Sequence, residues 1–182
     1  MREALLLVVA ATLATSGCGG TAETTTTALP ATPASGGAAM ILTSPSFDAD
    51  GRIPDPFTCK GADISPELRL DGIPVETAAL VLTMDDPDAP GGTWDHWVAF
   101  DITPDEIIPE DVGDLGTGGV NSWQRTGYGG PCPPSGVHRY YFKVYALDAA
   151  LGLAEGATKN DVLRAAEDHI LEVATLMGTF GT

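Results

Sequence analysis

The sequence predicts a mainly β domain, a sandwich with one helix packed on it. Two observations carry that expectation. Three apolar and aromatic runs, ALVLTMDD (79–86), TWDHWVAFDI (93–102) and HRYYFKVYAL (138–147), are set off by clusters of Gly, Pro and Asp, as strands are. Only one segment has sustained helical spacing, and it comes last. Many strands followed by a single helix is the element order of a β domain with a helix laid on it.

Taken in order, the first residues stand apart from the fold. MREALLLVVAATLATSGC carries one arginine, an apolar run from Ala4 to Ala14 and small residues before Cys18. The run is too short for a spanning helix and reads as an export signal. Thr15-Ser16-Gly17-Cys18 resembles a bacterial lipobox, with Thr15 where leucine is usual. The expectation is a lipoprotein-type signal at 1–17 with Cys18 lipidated; the alternative is ordinary secretion or a soluble periplasmic form. Residues 18–39 are, after Cys18, almost all Thr, Ala, Pro and Gly, with one charge. Such a segment has too little to bury to offset its ordering entropy, so a flexible tether is expected. The folded domain is expected at 40–182.

Within it, MILTSPSF (40–47) is short and β-prone, and Asp48-Ala49-Asp50-Gly51 marks a turn. RIPDPFTCKGADISPEL (52–68), with three prolines, is expected to be irregular surface chain. Residues 79–86 read as a buried strand, ended by Asp86-Pro87-Asp88-Ala89-Pro90-Gly91-Gly92, and 93–102 as a second strand. Alternation puts His96 on the face of Val98 and Phe100, opposite Trp97 and Ala99. Residues 103–126 look like a long excursion, and 138–147 is the strongest strand. A helix is expected from Thr158, its cap, through residues 160–177. Apolar residues at 162, 163, 166, 170, 173, 174 and 177 set its face, and Gly178 stops it. His169 falls on its solvated side.

The 182 residues give room for one domain with a real core. A net charge of −16 argues against a nucleic-acid partner, since phosphate neutralisation needs clustered Lys and Arg. Any anion site must work locally against the global field. Cys59 and Cys132 are the only cysteines of the domain. Export permits a disulfide, and a Cys59–Cys132 bridge is expected; two free buried thiols are the alternative.

Polar residues concentrate where strands meet loops. Asp85, Asp86 and Asp88 crowd three carboxylates into four positions. His96 lies in the second strand. GYGGPCPPSGVHRYYF (127–142) stiffens before delivering His138 and Tyr140. A metal site on His96, His138 and a carboxylate lacks HExxH or any close His pair, and no metal or cofactor is expected. Nucleophilic catalysis lacks a GxSxG elbow, and loop aspartates do not give the two facing carboxylates of a glycosidase. Anion binding fits better. Histidine, tyrosine and loop N–H groups can donate to phosphate, while aspartates orient the histidines or meet a ligand amine.

DDPDAPGGTWDHW (85–97) followed by GYGGPCPPSGVHRYYFKVYALD (127–148) resembles the phosphatidylethanolamine-binding protein family. The likeness is strongest to its bacterial and archaeal branch, related to Raf kinase inhibitor protein. DGRIPDPFTCKGADISPEL (50–68) and the segment ending Gly178-Thr179-Phe180 extend it over 40–182, with Phe180 where relatives commonly have tyrosine. The resemblance implies a large antiparallel sheet packed on a smaller one, and a small pocket for phosphate-like anions or phospholipid head groups at one end. It carries Asp86, Asp88, His96, Pro133, Pro134, His138 and Tyr140 into that pocket. Backbone amides of Gly129 and Gly130 are expected to help. The reading is an exported, membrane-tethered, non-enzymatic binding protein of the phosphoethanolamine type. One alternative is a protein-interaction or inhibitor module acting through the pocket rim and residues 103–126. Another is an uncharacterised hydrolase using the same histidines.

Overall fold

A computed structural model describes residues 39–181. The export signal, the lipidation site at Cys18 and the tether lie outside these described residues. Among the described residues, eight strands form two antiparallel sheets. The smaller has the order β1–β2–β5, from Ile41–Thr43 (β1), Leu68–Asp71 (β2) and Ile107–Ile108 (β5). The larger has the order β6–β4–β3–β7–β8. It is built from Thr117–Gly118 (β6), Trp94–Ile102 (β4), Ala79–Asp86 (β3), Val137–Leu147 (β7) and Ile170–Gly181 (β8). The three strongest strand readings fall on β3, β4 and β7. Strand β2 was not foreseen, and the excursion at 103–126 supplies β5 to one sheet and β6 to the other.

Each face of the large sheet buries a different set of side chains. On one face Leu80, Leu82, Met84, Trp97, Tyr140, Phe142 and Leu176 meet Leu42, Leu68, Leu70 and Ile108 of the small sheet. On the other, Val81, Val98, Phe100 and Leu147 are covered by Val162 and Ala166 of the only α-helix among the described residues, Lys159–Ala166 (α1). β3 is buried along its whole length because it lies at the centre of the sheet with a layer on both faces.

The late helix is shorter than its spacing predicts. Thr158 caps it, its Oγ1 accepting from the Asp161 amide at 3.2 Å. A 3-10 turn at Glu167–His169 then ends it, and residues 170–181 continue as β8, which pairs with β7 from Leu147 back to Val137. The expected helix over 167–177 is therefore corrected to a turn and a strand. The apolar positions of this segment satisfy period 2 as well as 3.6. Ala174, Leu176, Gly178 and Phe180 alternate inward, and the bonds to β7 that would otherwise be missing decide between the periods. Gly178 accordingly sits inside a strand, where a Cβ would meet Ile53 and Phe47 side chains at 2.6 and 2.8 Å. His169 is half-buried, with its side chain turned to solvent as expected, and faces Asp148 at 2.8 Å.

Candidate functional site

The three aspartates that crowd the end of β3 do not share one environment. Asp85 points to the helix side, where its carboxylate takes Lys143 Nζ at 2.8 Å and Lys159 Nζ at 3.2 Å. Asp86 points to the opposite face. Its Oδ1 accepts from the Asp88 amide at 2.8 Å and its Oδ2 from His138 Nδ1 at 2.8 Å. Asp88 lies on the rim and grips Arg139 through the guanidinium (2.9 and 2.6 Å) and the backbone amide (2.9 Å). That grip holds the Asp88 carboxyl well below the usual carboxylate range. Mutual repulsion is relieved by giving each carboxylate its own cationic partner or histidine.

His96 reaches the same side as Asp86 through a break in alternation. Met84 pairs with Trp97, but Asp85 pairs with Asp95, so His96 is the extra residue of a β-bulge. Asp95 faces the helix side and contacts Lys159, while Trp97 packs in the inter-sheet core. The expectation that His96 shares a face with Val98 and Phe100 is thereby corrected. The bulge turns two successive side chains, His96 and Trp97, toward the small-sheet side. His96 is buried, with its ring edge-on to Tyr140 (5.2 Å) and to Trp123 (5.0 Å). Its Nδ1 lies 2.7 Å from the Gly129 carbonyl, which only accepts, so Nδ1 carries the hydrogen. Burial lowers the pKa of His96, against the opposing pull of the Gly129 carbonyl and of Asp86, Asp63 and Asp95.

A cavity of about 400 Å³ opens at this end of the sheet, lined by Asp86, His96, His138, Trp94, Trp123, Cys132 and the prolines at 90, 133 and 134, with Ala89. Of the residues expected there, the structure brings together Asp86, His96, Pro133, Pro134 and His138. Four others stand apart from the lining. Asp88 is on the rim with Arg139. Tyr140 is wholly buried behind the His96 ring, and its hydroxyl has no hydrogen-bond partner among the described residues. Burial first, and the Asp86 charge second, raise the pKa of that hydroxyl. The amides of Gly129 and Gly130 are already engaged, with the His96 carbonyl at 3.2 Å and Asp63 Oδ1 at 2.7 Å.

These two glycines serve close packing. A Cβ on Gly130 would lie 2.5 Å from the Phe57 carbonyl oxygen and 2.5 Å from Asp63 Oδ1. The 129–134 loop is laid directly against the 55–63 segment. Tyr128 Oη donates to the Phe57 carbonyl at 2.7 Å, the Cys59 amide to the Pro131 carbonyl at 3.2 Å, and Cys59 and Cys132 are joined with Cα atoms 5.4 Å apart. Trp94 and Trp123, which wall the cavity edge-on to each other at 5.5 Å, were missed. Trp94 lies two residues before His96 and was legible from alternation; nothing in the excursion singles out Trp123. A second concavity of about 630 Å³ borders β6, but its lining offers the carboxylates of Asp114 and Glu155 without a cation or histidine.

The profile of the phosphatidylethanolamine-binding protein family matches residues 43–181, nearly all of the described domain. The chain belongs to the phosphatidylethanolamine-binding protein family. A relative from the archaeon Methanothermobacter thermautotrophicus, a UPF0098 protein, is 50% identical over 149 residues, covering 78% of this chain and 98% of the relative. A UPF0098 protein of Pyrococcus abyssi is 44% identical over 155 residues, covering 80% and 87%. Among solved structures, a phosphatidylethanolamine-binding protein homologue from Chlamydia trachomatis, CT736, superposes with a TM-score of 0.77 at 40% identity, covering 79% of this chain and 98% of that one. Escherichia coli YbcL, described as a member of the mammalian PEBP family, gives 0.74 at 27% identity, covering 80% and 99%. The two-sheet architecture is thus that of this family, in its bacterial and archaeal range.

Proposed function

We propose that this family member is a non-enzymatic binding protein whose 400 Å³ pocket takes the phosphoryl group of a small phosphate ester or phospholipid head group. The observation that carries this reading is that His96 and His138 both line the cavity. Each ring has its Nδ1 committed, to Gly129 and to Asp86, which leaves Nε2 of each to meet a ligand. Three features support it. The tryptophans and prolines give a stiff apolar surround for a small polar group. Asp86 offers a negative partner to a ligand amine. The Tyr140 ring, edge-on to His96 at 5.2 Å, backs that imidazole from the core side.

A binding role is favoured over hydrolysis because the pocket lining offers the histidines no free hydroxyl or thiol nucleophile. Cys132, the one nucleophilic residue of the lining, is bonded to Cys59. Calorimetric titration with inorganic phosphate and phosphoethanolamine tests the reading: saturable heat in wild type and none in His138→Ala is expected. Turnover of a phosphate ester that disappears with His96→Ala and survives repeated purification would replace it with the hydrolase.

The same reading places the domain outside the cytoplasm, held to a membrane by a lipid on Cys18. It rests on the lipobox-like Thr15-Ser16-Gly17-Cys18 and the Thr/Ala/Pro/Gly segment behind it. Fractionation of wild type and Cys18→Ser decides it: membrane association lost in the variant is expected, and an unchanged distribution refutes the anchor. The exposed rims of Trp94 and Trp123 favour the protein-interaction alternative as a second reading. Partner capture that depends on Trp123 and persists in His138→Ala would single it out.

A further inference from the structure

The pocket lining contains no lysine or arginine. Its only formal charge apart from the histidines is the Asp86 carboxylate, and the protein as a whole carries −16. An oxyanion therefore has to be met by the two imidazoles. Their hydrogen-bond polarity is fixed by what they already do. The carbonyl of Gly129 takes the Nδ1 hydrogen of His96, and the carboxylate of Asp86 takes the Nδ1 hydrogen of His138. A neutral ring with hydrogen on Nδ1 presents a bare lone pair at Nε2. Two neutral rings would offer an anion nothing but acceptors.

The two rings differ in what surrounds them. His138 has its Nδ1 2.8 Å from the buried Asp86 carboxylate, so a ring that also donates to an anion through Nε2 is flanked by negative oxygen on both sides. His96 is enclosed by the Trp123 and Tyr140 rings, with a carbonyl at Nδ1. The charged groups acting on it are the carboxylates of Asp86 from β3, Asp63 from the loop before β2, and Asp95 from its own strand. Each is already bonded to a histidine, an amide or a lysine. Burial outweighs their pull and favours the neutral ring. An anion bound in this pocket then takes its donor from His138 Nε2–H and meets an acceptor at His96 Nε2.

We infer that the pocket selects a phosphoryl group that carries its own hydrogen, a phosphate monoester monoanion, over fully ionised oxyanions and phosphodiesters. The P–OH donates to His96 Nε2 while a P–O⁻ accepts from His138 Nε2. A sulfate or a diester has no hydrogen to give and would set an oxygen against the His96 lone pair. An unpaired buried acceptor of that kind costs about 1–3 kcal/mol, which is roughly five- to 150-fold in affinity. The inference rests on the anion-binding reading above and separates two sources of the same head group. Phosphoethanolamine is a monoester; the head group still attached to a lipid is a diester.

The experiment compares four probes on the folded domain at pH 6, where a monoester, with a second ionisation near 6, is still about half protonated. They are phosphoethanolamine, glycerophosphoethanolamine, inorganic phosphate and sulfate, titrated by calorimetry, with nitrogen NMR of the histidine rings in the complex. At least about fivefold tighter binding of phosphoethanolamine than of its glycerol diester is expected. Phosphate should beat sulfate by a similar factor, with His96 Nε2 remaining free of a covalent hydrogen. Equal binding of all four, tighter binding of the diester, or a protonated His96 Nε2 in the phosphate complex overturns the inference while leaving an anion site in place. No binding of any probe removes both this inference and the anion-binding reading.

Discussion

His138 and Asp86 form the one histidine–carboxylate pair at the pocket that is buried on both sides, with 9% and 5% of the side chains exposed. His138→Ala leaves Asp86 with only the Asp88 amide, and breaking such a pair costs about 3 kcal/mol. Chemical denaturation should show that loss together with the loss of ligand response; an unchanged midpoint would mean that Asp86 is solvated. His96 makes a different prediction, through pH. Its folded-state pKa lies below the ordinary 6.5, so on acidification the unfolded chain takes up a proton before the folded one does. The stability this residue contributes is present above pH 6.5 and is lost as pH falls through the folded value. Unfolding of the unliganded domain at pH 7.5 and pH 5 should differ less in His96→Gln than in wild type. At this scale the sequence made Asp86, His96, Pro133, Pro134 and His138 legible, because Gly/Pro loops and strand ends announce them. It did not show which nitrogen each histidine uses or that the glycine amides are occupied. Those depend on Gly129 and Asp63, 33 and 67 residues from their partners His96 and Gly130.

Elements explain why these side chains converge. The bulge at His96 is flanked on the opposite face by Lys159, which bridges Asp95 of β4 and Asp85 of β3 from the first residue of α1. Burial works against the charge of Lys159, but the two aspartates outweigh it and hold its pKa above the ordinary lysine value. Lys159→Met would leave Lys143 as the only cation on Asp85 and none on Asp95. A cost of about 3 kcal/mol is expected. Because the lysine ties the bulge in place, a shift of the His96 ring signals is expected as well. If those signals stay put, the bulge is held by pairing alone. Thr158→Ala, which removes only the helix cap, should cost about 1 kcal/mol and leave them unchanged. The strands β3, β4 and β7 were legible because their alternation agrees with their β-branched and aromatic composition. The C-terminal segment was not, because ILEVATLM satisfies both periods locally and only the long-range partner β7 decides. β2, β5 and β6 are too short to carry a pattern of their own.

At the scale of the molecule, two sheets and a helix place the pocket at one end of the large sheet, and a covalent tie holds its loop. The Cys59–Cys132 bond closes a loop of 73 residues, worth roughly 4 kcal/mol on the chain-entropy account. Reduction should lower the unfolding midpoint accordingly, and Gly130→Ala should weaken the same junction by about 1–3 kcal/mol through its contact with the Phe57 carbonyl. The two-layer architecture was legible from element order together with the family resemblance, since strands before a late helix leave few other ways to bury both faces. The larger surprise is that Gly130 of GYGGPCPP makes room for the 55–63 segment, and Gly129 for the Trp123 ring, rather than for a ligand. The central claim is that Asp86, His96 and His138 form a phosphoryl-binding pocket. It is tested most directly by following the histidine ring signals in NMR during titration with phosphoethanolamine. Saturable shifts of His96 and His138, with His169 unmoved and no response in His138→Ala, are predicted; unmoved His96 and His138 signals at millimolar ligand would contradict the account.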